Sequence, residues 1–149
     1  MIVRAIESGD AGAWAAFRAR LWPRASAIEL ADEVRAFLDG ESGAYVAVAF
    51  VAIASDVPVG FIELAVRPFA DGCDSAPVPH VEGWYVEPGA RGRGAGRALM
   101  DAAEAWARER GFVELASDTE VHNSGSLAAH VRCGFAETER LIKLRKSLR

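Results

Sequence analysis

The sequence predicts a mixed α/β fold in which helices cover one central sheet. Segments rich in Val, Ile and Phe alternate with segments whose apolar residues recur every three or four positions, which is typical of strands and helices respectively. These segments follow one another in the order β-α-α-β-β-β-α-β-α-β. The chain has 149 residues and contains no repeat or linker, so we expect a single domain over residues 1–149.

The first part of the chain predicts one strand and two helices. Residues 2–6 form a short predicted strand. Asp10 can cap a following helix, which Pro23 ends. A second helix is predicted over residues 27–38, because its apolar positions lie on one side and Gly40 follows it.

The middle of the chain predicts three strands. Residues 44–54 and 59–66 are rich in β-branched and aromatic residues, and the turn at residues 55–58 joins them into an antiparallel hairpin. A loop with three prolines covers residues 68–79. Residues 80–87 form the next predicted strand, and its internal glycine predicts a bulge.

The last third predicts two helices and two strands. A helix follows a glycine-rich loop and ends at Gly111, which suits a C-terminal cap. Residues 112–117 are a predicted strand, and residues 124–132 are a predicted helix. A final strand or hairpin is expected over residues 135–146.

Composition disfavours several classes of protein. Seventeen basic and 21 acidic residues give a net charge of −4, which does not suit a nucleic-acid binder. The longest apolar run, residues 44–54, is too short to cross a bilayer, and no signal-peptide region precedes it, so we expect a cytoplasmic protein with no membrane partner. Cys73 and Cys133 are expected as free thiols. The three histidines lack metal-site spacing, so no metal is expected.

A glycine-rich turn lies between a predicted strand and a predicted helix. Its sequence is Arg91-Gly92-Arg93-Gly94-Ala95-Gly96, and Arg97 follows it. Backbone N–H groups at a helix N-terminus attract anions, and glycines let a phosphate come close. No lysine follows the glycines as in a Walker A loop, and their place after an antiparallel hairpin does not suit a Rossmann fold. We therefore expect a pyrophosphate ligand.

This turn satisfies the Arg/Gln-x-x-Gly-x-Gly/Ala motif of the GNAT superfamily of N-acetyltransferases, which the chain resembles over nearly its whole length. A second signature agrees, in which Asn123 precedes a helix that ends in Gly134-Phe135. The resemblance implies the GNAT fold, with a mostly antiparallel mixed sheet splayed between its fourth and fifth strands. It also implies acetyl-CoA as co-substrate. The implied coenzyme contacts are Trp84, Tyr85, Val86, Arg91, Gly92, Arg93, Gly94, Ala95, Gly96, Arg97 and Asn123.

Five short stretches resemble a narrower group, the aminoglycoside 6'-N-acetyltransferases of the short, dimeric kind. They are residues 21–23, 71–75, 82–83, 116–119 and 137–140. The resemblance implies an aminoglycoside acceptor acetylated on its 6'-amine, and a homodimer. An aminoglycoside is a polycation, so carboxylates and aromatic faces suit it chemically.

The same resemblance assigns roles to individual residues. Glu82, Asp118 and Glu139 would bind ammonium groups, while Trp22 and Phe69 would pack on the sugar rings.

Transfer is expected to be direct, without an acyl-enzyme. A backbone N–H at about position 86, that of Val86, would polarise the thioester carbonyl. Glu82 or Asp118 would take the proton of the amine, directly or through water. The family often carries Tyr where this chain has His130, which would then protonate the departing thiolate.

Two other functions remain open at this point. An acetyltransferase of a polyamine or of a protein N-terminus would share the coenzyme loop. A non-catalytic sensor of acyl-CoA would also keep this loop, but would not need the acids Glu82, Asp118 and Glu139.

Overall fold

A computed structural model describes all residues, 1–149, and contains four α-helices and five strands. In chain order they are β1 (Ile2–Ala5), α1 (Ala11–Leu21), α2 (Ala27–Leu38), β2 (Val48–Ala54), β3 (Val57–Arg67), β4 (Val78–Val86), α3 (Ala95–Glu109), β5 (Ala116–Ser117) and α4 (Ser124–Arg132). None of the helices is long and apolar enough to cross a membrane. The chain divides into two compact units, Met1–Ser117 and Asp118–Arg149, which are described separately.

The first unit is built on one open, five-stranded sheet with the order β1-β2-β3-β4-β5. The first four strands pair antiparallel, whereas β4 and β5 pair parallel. The predicted fold class is therefore confirmed. The predicted bulge is also present: Glu63 pairs with Gly83 and Leu64 pairs with Val81, which leaves Glu82 as the extra residue of β4.

Helices pack on this sheet through apolar side chains. Trp14 and Phe17 of α1 are buried with Val34 of α2 against Val51 and Phe61 of the sheet. The ring of Phe17 stacks on that of Phe61 at 6.3 Å between centroids. Helix α3 packs against β1 to β4, and its fully buried residues are Leu99, Met100 and Ala103.

The helices begin where local capping permits. Ser26 accepts a hydrogen bond from the N–H of Glu29 at 3.3 Å and so caps α2. Asp10 does not cap α1 with its side chain, contrary to the sequence prediction. Its carboxylate instead accepts both guanidinium N–H groups of Arg4, at 2.7 and 3.0 Å, and the N–H of Glu7.

Three predicted strands differ from the structure. Strand β2 begins at Val48 rather than at residue 44, because the chain bends at Tyr45 and Ala47. Strand β5 has two residues instead of the six predicted over residues 112–117. No strand or hairpin forms over residues 135–146, since a strand requires a paired neighbour and this segment has none.

The second unit contains α4 and the C-terminal tail, which we define as residues 136–149. Asn123 caps α4 by accepting the N–H of Ser126 at 3.1 Å, and Gly134 follows the helix with a φ of 94°. All residues of the tail are exposed and none belongs to a helix or strand.

Candidate active site

The edge of β4 opens beside β5. Their pairing covers only His80 with Ala116 and Val81 with Ser117, whereas β4 continues to Val86. The N–H of Glu87 donates to the carbonyl of Val59 at 2.8 Å, so Val86 and its partner Gly60 form a non-hydrogen-bonded antiparallel pair. The N–H of Val86 therefore points away from β3, into the side of β4 that has no strand partner.

The glycine-rich loop leads directly into α3. Gly92 and Gly94 have φ values of 77° and 90°, which only glycine adopts readily. The N–H of Ala98 makes the first helical hydrogen bond, to the carbonyl of Gly94 at 3.0 Å. The first N–H groups of an α-helix have no acceptor within the helix, so those of Ala95 and Gly96 can act as donors to an anion.

Three exposed arginines surround this helix end. Arg91 donates its Nε–H to the carbonyl of Val86 at 2.8 Å, and its guanidinium lies 5.8 Å from the ring centre of Tyr85. Arg97 lies 3.6 Å from Asp101, one turn along α3. Together with Arg93 they give the loop the positive charge that a pyrophosphate requires.

Trp84 and Tyr85 hold this region in place. Trp84 donates its indole N–H to the carbonyl of Gly96 at 3.0 Å, which joins β4 to the first turn of α3. Tyr85 packs against Phe17 at 5.7 Å between ring centroids and donates its hydroxyl to Glu87 at 3.2 Å. Both side chains therefore position the loop within the first unit.

The carboxylate of Glu82 lies at the centre of a polar cluster. Oε1 accepts the hydroxyl proton of Tyr45 in a short hydrogen bond, and Oε2 is in close contact with Nδ1 of His80. One guanidinium nitrogen of Arg67 lies 2.9 Å from each of the two oxygens. We call these four residues the Glu82 cluster.

The cluster changes the proton affinity of two of its members. Burial alone would raise the pKa of Glu82, but hydrogen bonds from His80, Arg67 and Tyr45 outweigh it and lower this pKa to about 2. Burial and the bond to Glu82 raise the pKa of Tyr45 well above its usual range. Glu82 is thus an anion with little tendency to take up a proton near neutral pH.

Trp22 lies against Gly83 of β4. A side-chain carbon added to Gly83 would lie 2.9 Å from Cη2 of Trp22, so this contact depends on glycine. The guanidinium of Arg18 lies 5.1 Å from the Trp22 ring centre. Gly83 directly follows Glu82 in β4, so Trp22 lies against the residue next to Glu82.

Arg18 itself forms a buried ion pair with Glu63. Its Nε and one terminal nitrogen lie 2.9 and 3.0 Å from the two oxygens of Glu63, and Trp14 donates to the same carboxylate at 2.9 Å. The other terminal nitrogen donates to the carbonyl of Leu30 at 2.7 Å. Burial raises the pKa of Glu63, and the bonds from Arg18 counteract this rise. The pair links α1, α2 and β3 beneath Trp22.

The loop after β3 is held by Glu114. This carboxylate accepts the N–H groups of Asp74 and Ser75, at 2.9 and 2.6 Å, and the Ser75 hydroxyl. These bonds lower the pKa of Glu114, chiefly through Ser75. Phe69, in the same loop, is exposed.

The remaining predicted site residues lie in the second unit. Asp118 is exposed and directly follows β5 in the chain, and Glu139 is exposed in the C-terminal tail. His130 is buried in α4, with Nδ1 at 2.7 Å from the carbonyl oxygen of Ser126. Because a carbonyl oxygen can only accept, Nδ1 carries the proton, and the neutral ring then has its acceptor at Nε2. Asn123 uses its side-chain oxygen for the cap of α4.

Sequence reasoning missed three members of the Glu82 cluster. His80 could have been found, because residues 80 and 82 are two apart in a predicted strand and such residues share a face. Arg67 and Tyr45 carried no comparable signal. They reach Glu82 only through the register of β3 on β4 and through an irregular segment before β2.

Comparison with known proteins decides the family. The sequence profile of the acetyltransferase (GNAT) family matches residues 13–135. The chain belongs to the GNAT acetyltransferase family. The glycine loop, the α3 N-terminus and the open edge of β4 described above are thus features of a GNAT member.

Relatives of this GNAT chain include aminoglycoside N(6')-acetyltransferases. It is 44% identical over 148 residues to an aminoglycoside N(6')-acetyltransferase type 1 of Klebsiella aerogenes, covering 99% of this chain and 97% of the relative. It is 42% identical to an enzyme of the same name from Stenotrophomonas maltophilia, covering 98% and 93%. Among solved structures, AAC(6')-Iy in complex with the bisubstrate analogue CoA-S-monomethyl-acetylneamine matches with a TM-score of 0.88 at 33% identity, covering 98% and 97%.

Proposed function

We propose that this protein transfers the acetyl group of acetyl-CoA to the 6'-amino group of aminoglycosides, and so confers resistance to them. The observation that carries the proposal is the near-full-length similarity to aminoglycoside 6'-N-acetyltransferases. The geometry agrees, because an anion site at a helix end and a buried carboxylate flank the open edge of one strand, β4.

The coenzyme would lie along the open edge of β4. Its pyrophosphate suits the N–H groups of Ala95 and Gly96 at the start of α3, and Arg91 and Arg93 add charge nearby. The N–H of Val86 points into the same gap and would donate to the thioester oxygen as negative charge develops on it. Asn123 would contact the pantetheine arm through its NH₂ group, since its oxygen caps α4.

The acceptor would be bound through its ammonium groups. We assign this role to Glu82, Asp118 and Glu139, and assign the packing on sugar rings to Trp22 and Phe69. The low pKa of Glu82 supports a binding role, because a weakly basic carboxylate stays charged opposite a cation.

Proton transfers would then use other groups. The amine must lose a proton before it attacks, and we assign that proton to Asp118, directly or through a water molecule. His130 would return a proton to the departing thiolate. The bond from Nδ1 to Ser126 means that His130 must first carry a second proton, on Nε2.

The test compares two acceptors that differ at one position. Thiol release from acetyl-CoA should be rapid with an aminoglycoside that has a 6'-amine and absent with its 6'-hydroxyl analogue, because the amine is the nucleophile. Equal release with both would reject 6' acetylation. Release with spermidine but with no aminoglycoside would indicate a polyamine acetyltransferase instead.

We also propose that the protein is a homodimer. The C-terminal tail contains Ile142, Leu144 and Leu148, which are between 84% and 91% exposed. Fourteen extended residues reach about 46–50 Å, which is long enough to cross a second copy of the chain. Exposed apolar residues in such a number favour a partner that covers them.

We also propose that the chain is a single domain and that it acts in the cytoplasm. The GNAT profile runs from residue 13 to residue 135 and so includes parts of both compact units. Both cysteines are free thiols, as is usual in a reducing compartment.

A further inference from the structure

The Glu82 cluster holds a carboxylate whose acceptor sites are already occupied. A carboxylate offers about four lone-pair sites. Tyr45 uses one, Arg67 makes two contacts of 2.9 Å, and His80 is in close contact on Oε2. Only 4% of the Glu82 side chain is exposed. An ammonium group that is to bind Glu82 must therefore replace one of these partners.

The three partners differ in their freedom to leave. The His80 side chain is only 6% exposed, so it has no solvent to move into. Tyr45 is 48% exposed but neutral, and its departure would leave two cations on one carboxylate. The Arg67 side chain is 43% exposed, lies at the last residue of β3, and is permanently charged.

Charge balance selects Arg67 as the partner that leaves. An ammonium group placed on Glu82 beside Arg67 would bring two positive charges to within a few ångströms of each other. If the guanidinium moves into solvent, one cation replaces another and the net charge of the cluster is unchanged. A long arginine side chain can make this movement without moving the strand.

We propose that Arg67 occupies the ammonium subsite on Glu82 in the free enzyme and is displaced by an ammonium group of the acceptor. The inference rests on the proposed function, in which Glu82 binds the acceptor. Arg67 then competes with every acceptor and weakens its binding. It also keeps the buried carboxylate neutralised between turnovers.

The test removes the charge of Arg67 and follows the acceptor. In Arg67→Met the KM for a 6'-amino aminoglycoside should fall by about two- to fivefold, the range set by a partly exposed ion pair. The KM for acetyl-CoA should not change. Arg67→Lys restores a cation and should return the KM for the acceptor towards the wild-type value. Arg35→Met removes an exposed, ion-paired arginine at the end of α2 and should leave both KM values unchanged.

A direct measurement of acceptor binding tests the same idea if Arg67→Met is too poorly active for its KM to be measured. Calorimetry should show the aminoglycoside binding two- to fivefold more tightly to Arg67→Met than to wild type. An acceptor KM or Kd that is unchanged or higher in Arg67→Met would overturn the exchange, because Arg67 would then support Glu82 rather than compete for it. Wild-type enzyme that acetylates no aminoglycoside would instead reject the proposed function, and with it the ligand that this exchange requires.

Discussion

At the scale of single residues, the buried ion pair of Arg18 and Glu63 matters both for the stability of the fold and for the position of Trp22. Both side chains are almost completely buried, and their hydrogen bonds join two helices to the sheet. Removing a charged group from water is costly, so such a pair is stable only while both partners are present. Trp22, which we place in the acceptor site, rests on Arg18.

We predict that Arg18→Met destabilises the protein by about 3–5 kcal/mol, because Glu63 is left buried without its cation. Urea unfolding followed by fluorescence measures this loss. The double variant Arg18→Met/Glu63→Leu should recover much of it, since both charges are then absent. Arg35→Met is the matched surface control and should change stability by about 0.5 kcal/mol or less. A loss of that small size in Arg18→Met would show that the pair does not stabilise the fold.

At the scale of elements, sequence patterns predicted most helices and strands correctly. Helix α2 has the bounds expected from its apolar spacing and Gly40, and α4 has those expected from Gly134. The errors fall where pairing decides the structure. Residues 112–115 have strand-like composition, yet β4 pairs only with Ala116 and Ser117. A strand exists only with its neighbour, and composition does not reveal how far that neighbour extends.

In the candidate site, too, local features were predictable from the sequence, whereas features that depend on strand pairing were not. The glycine loop was predictable because its chemistry is local: a strand end, glycines with positive φ and a helix start are contiguous in sequence. The Glu82 cluster joins residues 45, 67, 80 and 82, which meet only after β3 and β4 have paired. Sequence reasoning identified Glu82 but missed Tyr45, Arg67 and His80, which lower its pKa.

The glycine loop permits a matched comparison of two glycines. A side-chain carbon would meet no atom within 4 Å at Gly89 or at Gly94, but only Gly94 has a positive φ, of 90°. A left-handed conformation costs a residue with a side chain about 1–2 kcal/mol. Gly94→Ala should therefore weaken acetyl-CoA binding by about tenfold, and Gly89→Ala should have little effect. Calorimetric titration measures both, and equal affinities for the two variants would contradict a role for this backbone conformation.

At the scale of the whole molecule, the C-terminal tail is notable because its apolar side chains are exposed and it pairs with no strand. Ile142, Leu144 and Leu148 are all at even positions, which they share with Lys146, whereas Lys143 and Arg145 are at odd positions. In an extended chain the even positions share one face, so Ile142, Leu144 and Leu148 lie together on it. An isolated strand of this kind has neither hydrogen-bonded neighbours nor a covered apolar face, and a second copy of the chain would supply both.

The proposed homodimer should therefore depend on one face of the tail. Covering Leu144 contributes about 1.5–3 kcal/mol per chain. Two tails bind in each dimer, so Leu144→Lys should raise the dimer dissociation constant by about a hundredfold or more. Leu141→Lys makes the same chemical change on the opposite face and should leave the dimer intact. Sedimentation equilibrium distinguishes the two results. A monomeric wild-type protein, or equal dissociation of both variants, would rule out this arrangement of the tail.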